Sequence, residues 1–353
     1  MPTSDNEKPS AYARAGVDID AKMEAICRMK QSLAATRISG VLTDAVGSFG
    51  GMFALKDAVG ISTDPVLVSS IDGAGTKLKV AFLMDKHDTV GRDLVFHCVN
   101  DILVQGARPL FFLDYFGTGK LKPHVVVEAV RGLAEGCQAT GCALIAGETA
   151  EMPGMYAEGE YDIAGCIVGV VDRSRIVTGE SVVAGDILLG LGSDGIHTNG
   201  YSLARRVLLE EAGLSVHDTV PELGVTLGEA LLWPHRCYAN AILPILESEP
   251  GAIKTMAHIT GGGFYDNIPR SLPAGLGATI RRGSWPIPPL FTLIQNLGGI
   301  EQSEMYRVFN MGVGFVLAVA ADDADRISKL LTNAGERVYR IGEVSPTPGV
   351  VIG

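Results

Sequence analysis

The sequence predicts an α/β (α+β) protein of two domains. Apolar runs of strand length alternate with amphipathic helical segments along the chain, and glycine-rich clusters end many of the runs. A polar connection beginning at Asp172-Arg173-Ser174 divides the pattern into two parts. A chain of 353 residues lets each part bury a core of its own.

Residues 1–60 read as an N-terminal arm, with helical spacing from Ile19 to Ala35 and a glycine-interrupted loop, Val46 to Met52. Residues 61–172 read as the first domain. The run Val66 to Ile71 is a strand that ends in Asp72-Gly73-Ala74-Gly75-Thr76-Lys77. A helix over 88–105, a strand over 109–115, a helix over 123–140 and a strand over 142–146 follow. A loop, Gly147-Glu148-Thr149-Ala150-Glu151, comes next, and a strand over 161–171 closes the domain. Residues 173–353 read as a second, mixed α/β domain. The spacing predicts strands over 186–191, 254–259, 277–281, 312–320 and 338–341. It predicts helices over 200–212, 227–246 (one long helix), 289–297 and 321–334, and a short helix after Gly263.

Composition narrows the function. The formal charge is -11 and no Lys/Arg run appears, which argues against nucleic acid as a partner. The polar start, Met1 to Ser10, is unlike a signal peptide, and the longest apolar stretch, Met311 to Ala321, is shorter than the roughly 20 residues that span a bilayer. Six cysteines without a CxxC pair read as reduced thiols of a cytoplasmic protein with no membrane role. Forty-four glycines are about 12% of the chain against a usual value of about 7%, and clusters of that kind let a backbone approach a ligand closely.

The Asp72–Lys77 segment combines glycine amides, a lysine suited to phosphate and a carboxylate suited to a divalent cation; a tight turn with a chance lysine is the bland alternative. In the following helix Asp93, His97, Asn100 and Asp101 share one face, which is either functional or simply solvated. Glu148 and Glu151 supply further carboxylates, and carboxylates from separate strand ends can converge on Mg²⁺; helix-capping acids would look the same. Thr198 or Asn199 caps a helix whose first amides could receive an anion. Gly261-Gly262-Gly263 at a strand-to-helix junction reads as a phosphate cradle. His197 and His258 lie beside these loops, as acid/base groups or as structural histidines. No G-x-S-x-G elbow, HExxH or paired-cysteine metal motif occurs.

Taken together, these segments resemble the AIR synthetase family (phosphoribosylformylglycinamidine cyclo-ligase). The resemblance rests on Tyr12 to Asp20, Asp72 to Lys77, Val99-Asn100-Asp101-Ile102, Phe111 to Tyr115, Gly147 to Gly154, Gly195 to Leu203, Thr260 to Phe264 and Glu304 to Arg307. It runs in order from Tyr12 to Glu343. Residues 195–199 read Gly-Ile-His-Thr-Asn where the family often has Pro-His-Ser-Asn, a change that keeps the hydroxyl.

The resemblance implies ATP-dependent closure of formylglycinamidine ribonucleotide to aminoimidazole ribonucleotide, with ADP and phosphate released. It implies ATP and Mg²⁺ on the first domain, with Asp72, Asp101 and Glu148 sharing the metal and Lys77 and Lys30 on the phosphates. Gly73, Gly75, Thr76, Asn100 and Gly147 complete the nucleotide contacts, and Asn199, Gly261, Gly262 and Gly263 hold the substrate phosphate. His197 and His258 are both left as candidates for proton transfer. It further implies a ferredoxin-like first domain, a homodimer joined through first-domain strands, and a mobile lid at Val46–Met52.

Rival readings fit less well. A selenophosphate synthetase would want a reactive cysteine in the 46–52 loop, and a carbamoyl dehydratase a C-terminal cysteine; both are absent. A thiamine-phosphate kinase would lack the 12–20 match. A non-catalytic nucleotide-binding partner would have no need to keep Asp72, Lys77, Asp101 and Glu148 together.

Overall fold

A computed structural model of the chain describes residues 19–42, 52–56 and 64–353. Most of the Tyr12–Asp20 segment and of the Val46–Met52 loop lies outside them. Helix α1 (Ile19–Ala34) is followed by β1 (Pro65–Gly73), α2 (Leu78–Met84), α3 (Asp88–Leu103), β2 (Arg108–Thr118), α4 (Pro123–Ala139), β3 (Ala143–Glu151) and β4 (Tyr161–Asp172). These strands form a four-stranded sheet of order β1-β4-β2-β3. β4 runs antiparallel to β1 and β2, while β2 and β3 are parallel neighbours. The parallel pair departs from a ferredoxin-like sheet, which is antiparallel throughout.

The second half contains β5 (Ile187–Gly192), α5 (Tyr201–Arg205, continued by a π-helical turn to Glu211), β6 (Thr219–Val220), β7 (Val225–Thr226), α6 (Leu227–Leu231) and α7 (Ala239–Ser248). It continues with β8 (Ile253–His258), α8 (Gly263–Arg270), β9 (Gly277–Ile280), α9 (Pro289–Gly298), α10 (Gln302–Val308), β10 (Val313–Val319), α11 (Ala324–Asn333), β11 (Val338–Ser345) and β12 (Gly349–Ile352). Its main sheet has the order β12-β9-β11-β5-β10-β8. β5 and β10 are buried along their whole length, which accounts for their unbroken apolar sequence.

Helix α3 joins the two halves. Asp88 in its first turn suits the positive end of the helix dipole. Leu94, Val95, Cys98 and Ile102 belong to the apolar core, and the helix packs on β1, β2 and β4. A second side meets α4 backbone to backbone. A Cβ on Gly91 would lie 2.1 Å from the Ala129 carbonyl oxygen, and one on Gly132 would lie 2.1 Å from that of Asp88. Any side chain at either position would force the helices apart. The third side, the polar stripe, faces the second half of the chain.

Two local expectations need correction. The long helix over 227–246 is two helices separated by Leu232 to Tyr238. Pro234 cannot extend a helix, and the freed backbone bonds to the polar stripe of α3. The His235 amide donates to Asp93 Oδ1 at 2.7 Å, the Tyr238 amide donates to Asn100 Oδ1 at 3.1 Å, and Asn100 Nδ2 donates to the Arg236 carbonyl at 2.8 Å. The loop expected at 147–151 is the second half of β3, held in register with Asp114 to Thr118 of β2. No helix among the described residues is long and apolar enough to cross a membrane.

Candidate active site

A cavity of about 530 Å³ opens between the first sheet and the second half of the chain. Asp72 from β1, His97 and Asp101 from α3, and His258 from β8 form one wall, while Asn267 and Arg270 from α8 reach it from the other side. Even-numbered residues of β1 face α3, so Asp72 arrives beside the helical stripe.

The polar contacts are dense. His97 Nε2 lies 2.7 Å from Asp72 Oδ2 and 3.8 Å from Asp101 Oδ2. His258 Nδ1 lies 2.8 Å from Asp101 Oδ1, and Ser70 Oγ donates to Asp101 Oδ2 at 2.9 Å. Burial pushes the Asp101 carboxyl up, but the hydrogen bond from His258 and the nearby imidazoles outweigh it and hold it below the usual range. Asp72 behaves likewise: the hydrogen bond and charge of His97 overcome burial. For His97 burial favours the neutral ring, yet the two carboxylates win and raise its pKa. His258 goes the other way, because burial outweighs its bond to Asp101 and lowers its pKa.

The two histidines left open by the sequence are separated here. His258 borders the cavity. His197 is enclosed, with φ of +68°, its ring stacked on His235 at 4.0 Å between centroids and its pKa driven well down by burial. His197 shapes the interior and does not reach the cavity wall.

Other residues that the sequence marks as ligands take different places, each for a physical reason. Lys77 is fully buried, with Nζ 2.6 Å from Asp93 Oδ2 and donating to the Trp233 carbonyl at 2.8 Å, so it ties the halves together and has no free face for a phosphate. Asn100 spends its amide on the loop after α6 and serves the same purpose. Glu148 cannot share an ion with Asp72 and Asp101 within one subunit. It sits on β3, three strands from β1 or about 14 Å, and its register with Tyr115 puts it on the opposite face of the sheet. Lys30 is exposed on α1, which packs on α4 and β3 at the far edge of the sheet from Asp72. Gly147 fits against the Asp114 carboxylate, where a Cβ would lie 2.2 Å from Oδ1, so its glycine answers to packing.

The two segments that read as a phosphate cradle do meet. A Cβ on Gly261 would lie 3.3 Å from Asn199 Oδ1, so the loop before α5 and the loop before α8 touch. Gly262 has φ of +91°, and a Cβ on Gly263 would lie 2.0 Å from the Tyr306 carbonyl oxygen. Both must be glycine, and together they turn the start of α8 toward Asn199. At the Asp72–Lys77 segment, Gly75 has φ of +61°, Thr76 Oγ1 lies 3.1 Å from Ser202 Oγ, and Gly73 donates to Asp72 Oδ1 at 2.7 Å.

The sequence reading missed His235, Ser70, Asn267 and Arg270. His235 carried a signal, since Pro234 before it marks a break where a backbone segment could enter a site. Arg270 followed a glycine-rich helix start and brings a cation to the cavity.

The chain matches the AIR synthase related protein N-terminal domain over residues 55–171 and the C-terminal domain of the same family over residues 183–353. It is 54% identical to the phosphoribosylformylglycinamidine cyclo-ligase of Brevibacillus brevis, over 95% of each chain. It is 52% identical to the enzyme of that name from Thermoanaerobacter sp., over 97% of this chain and 99% of the other. Among solved structures, thiamine-monophosphate kinase from Stenotrophomonas maltophilia superposes with a TM-score of 0.66 at 15% identity, covering 92% of this chain and 95% of that one. The hydrogenase maturation protein HypE in complex with ATP gives 0.60 at 16% identity, covering 91% and 86%; these two likenesses concern the fold. The chain belongs to the AIR synthetase family, the phosphoribosylformylglycinamidine cyclo-ligases.

Proposed function

We propose that the chain closes the imidazole ring of aminoimidazole ribonucleotide from formylglycinamidine ribonucleotide, using ATP and releasing ADP and phosphate. The observation that carries this is the identity of 54% over 95% of both chains with a cyclo-ligase. The cavity walled by Asp72, His97, Asp101 and His258 is where we assign that chemistry.

The acidic pair suits magnesium. Asp72 and Asp101 bring ligand atoms within 4.8 Å of each other and of a His97 nitrogen, and carboxylate oxygens are the donors Mg²⁺ prefers. Bound there, magnesium would supply positive charge to the phosphoryl oxygens. Asp72 and Asp101 are the ligands we assign, with Ser70 orienting Asp101. Gly73, Gly75 and Thr76 offer the nucleotide a backbone approach from the first domain, taken as residues 61–172.

Phosphorylation of the formamide oxygen turns it into a leaving group. The amidine nitrogen then attacks the same carbon, and the C–O bond breaks to release phosphate. The departing phosphate takes the proton from that nitrogen. We assign His258, which borders the cavity, to hold Asp101 in place through Nδ1, its Nε2 being turned inward to His235. Asn199, Gly261, Gly262 and the first turn of α8 fit the ribose phosphate, with Arg270 as its cation. Holding both ends of one flexible substrate is worth several kcal/mol of the barrier, on the order of the 7–11 kcal/mol seen for well-oriented intramolecular reactions.

A second copy of the chain fits the bare face of the first sheet. Ile71 is 73% exposed and Leu67 55%, beside half-buried Leu113, Cys166 and Val168, an apolar surface that water disfavours. A cytoplasmic homodimer covering that face is the assembly we infer.

The test is direct. Purified protein with formylglycinamidine ribonucleotide, ATP and Mg²⁺ should give the aminoimidazole product and ADP in equal amounts. ATP left intact, with no product, rejects the assignment.

A further inference from the structure

Four imidazoles meet behind the carboxylates. His97 lies 5.3 Å from His235 and 5.0 Å from His258 between ring centroids, His235 lies 5.2 Å from His258, and His197 stacks on His235. One ring nitrogen from each of His97, His235 and His258 lies within 4.8 Å of the others, and all three side chains are buried.

The hydrogens in this cluster do not balance. His258 Nδ1 faces Asp101, a group that only accepts, so Nδ1 carries the proton and Nε2 of the neutral ring is bare. That bare Nε2 lies 3.1 Å from His235 Nε2. Asn100 Nδ2, a donor, lies 3.2 Å from the same His235 nitrogen, and the Asn100 oxygen is held by the Tyr238 amide, so the amide cannot be turned over. His235 Nε2 therefore presents a lone pair as well. With His235 in that tautomer, two lone pairs face each other at hydrogen-bond distance; in the other tautomer Asn100 loses its acceptor, so either way one of the contacts at His235 Nε2 is unmatched. With Nε2 bare, His235 carries its proton on Nδ1, which faces the Thr198 hydroxyl at 3.4 Å, and that hydroxyl faces His97 Nδ1 at 2.7 Å. Buried lone pairs gathered in this way call for a cation.

The outer contacts specify which kind. His97 is bound at Nε2 by Asp72, and His258 at Nδ1 by Asp101. A carboxylate on one ring nitrogen, leaving the other free, is the arrangement that orients metal-binding histidines and raises their basicity. Imidazole nitrogens suit zinc, cobalt, nickel and copper far better than magnesium or calcium. The adjoining cavity leaves room for a fourth ligand such as water, as in three-histidine zinc sites.

We propose that His97, His235 and His258 form a binding site for one first-row transition-metal dication of the zinc class, with Asp72 and Asp101 as its outer partners. The site does not depend on the ring-closing assignment, because it can be filled without nucleotide or substrate.

The experiment titrates the full-length, metal-stripped protein with Co²⁺ alone, reading its visible ligand-field absorption and the bound metal per chain. One Co²⁺ per chain is expected, displaced by Zn²⁺ and untouched by millimolar Mg²⁺. His235→Gln and His258→Gln should each weaken binding about 100-fold or more, and Asp101→Asn about 10- to 100-fold. His217→Gln, in an exposed histidine, should bind as the parent does. Circular dichroism reports whether each variant is folded. A parent chain that takes up no Co²⁺ overturns the proposal whatever the variants do. So does binding that survives intact in folded His235→Gln and His258→Gln.

Discussion

Lys77 Nζ lies 2.6 Å from Asp93 Oδ2, and neither side chain touches solvent. The pair stands where the two halves of the chain meet. Lys77 also holds the Trp233 carbonyl, and Asp93 the His235 amide. A lysine that reads from sequence as a phosphate contact is thus a bolt between domains.

Lys77→Met should strand Asp93 as an uncompensated buried charge, at a cost of about 3–5 kcal/mol. Thermal unfolding should fall by on the order of 10 °C. The double variant Lys77→Met/Asp93→Leu should recover part of the loss, since no orphan charge remains. A phosphate-binding lysine would behave differently, with the KM for ATP rising and the melting temperature unmoved.

Asp101→Asn removes the carboxylate that accepts from His258 and Ser70 while keeping the side chain's shape. We expect kcat to fall by about 100-fold or more, with the melting temperature within ~3 °C of the parent. Loss of the fold in this variant would make Asp101 a structural residue.

Burial, with the Glu148 charge nearby, pushes Asp114 from 3.8 up to about 7. Between those values the folded protein keeps a proton that the unfolded chain has released. The associated stability is full below pH 4 and is lost as pH rises toward 7. Asp114→Asn should therefore gain on the parent between pH 4 and pH 8. The full shift corresponds to roughly 4 kcal/mol, and partial exposure of the side chain reduces the expected gain to about 1–2 kcal/mol. Denaturant melts across that range read it, and parallel curves for the two proteins would contradict it.

The bare face of the first sheet predicts an assembly phenotype. Leu67→Asp/Ile71→Asp places two charges on the most exposed apolar residues of β1. The parent should run as a dimer in light scattering and the variant as a monomer of unchanged circular dichroism. A monomeric parent would remove the basis for the dimer.

Much of the architecture was legible because periodicity is local. The apolar runs at 66–71, 109–115 and 312–320 lie inside β1, β2 and the β10 region, and the Asp93, His97, Asn100 and Asp101 stripe of α3 is one face, buried except for Asp101 at the cavity. What the stripe touches is not local. Which of its members face the cavity depends on the Leu232–Tyr238 segment returning from far along the chain to take up Asp93 and Asn100. The misplacement of Glu148 has the same origin. Strand order decides that β4 and β2 lie between β1 and β3, and a register of one residue decides the face. Carboxylates at two strand ends look alike in sequence, yet only Asp72 lies over α3. His235 stayed hidden because apolar spacing on both sides of Pro234 suggested one helix.

The route of the oxygen tests the central claim most directly. With substrate labelled by ¹⁸O in its formyl group, the account predicts one ¹⁸O in each phosphate released, because that oxygen is phosphorylated before the ring closes. Unlabelled phosphate, with the label in water or retained in the product, would contradict it.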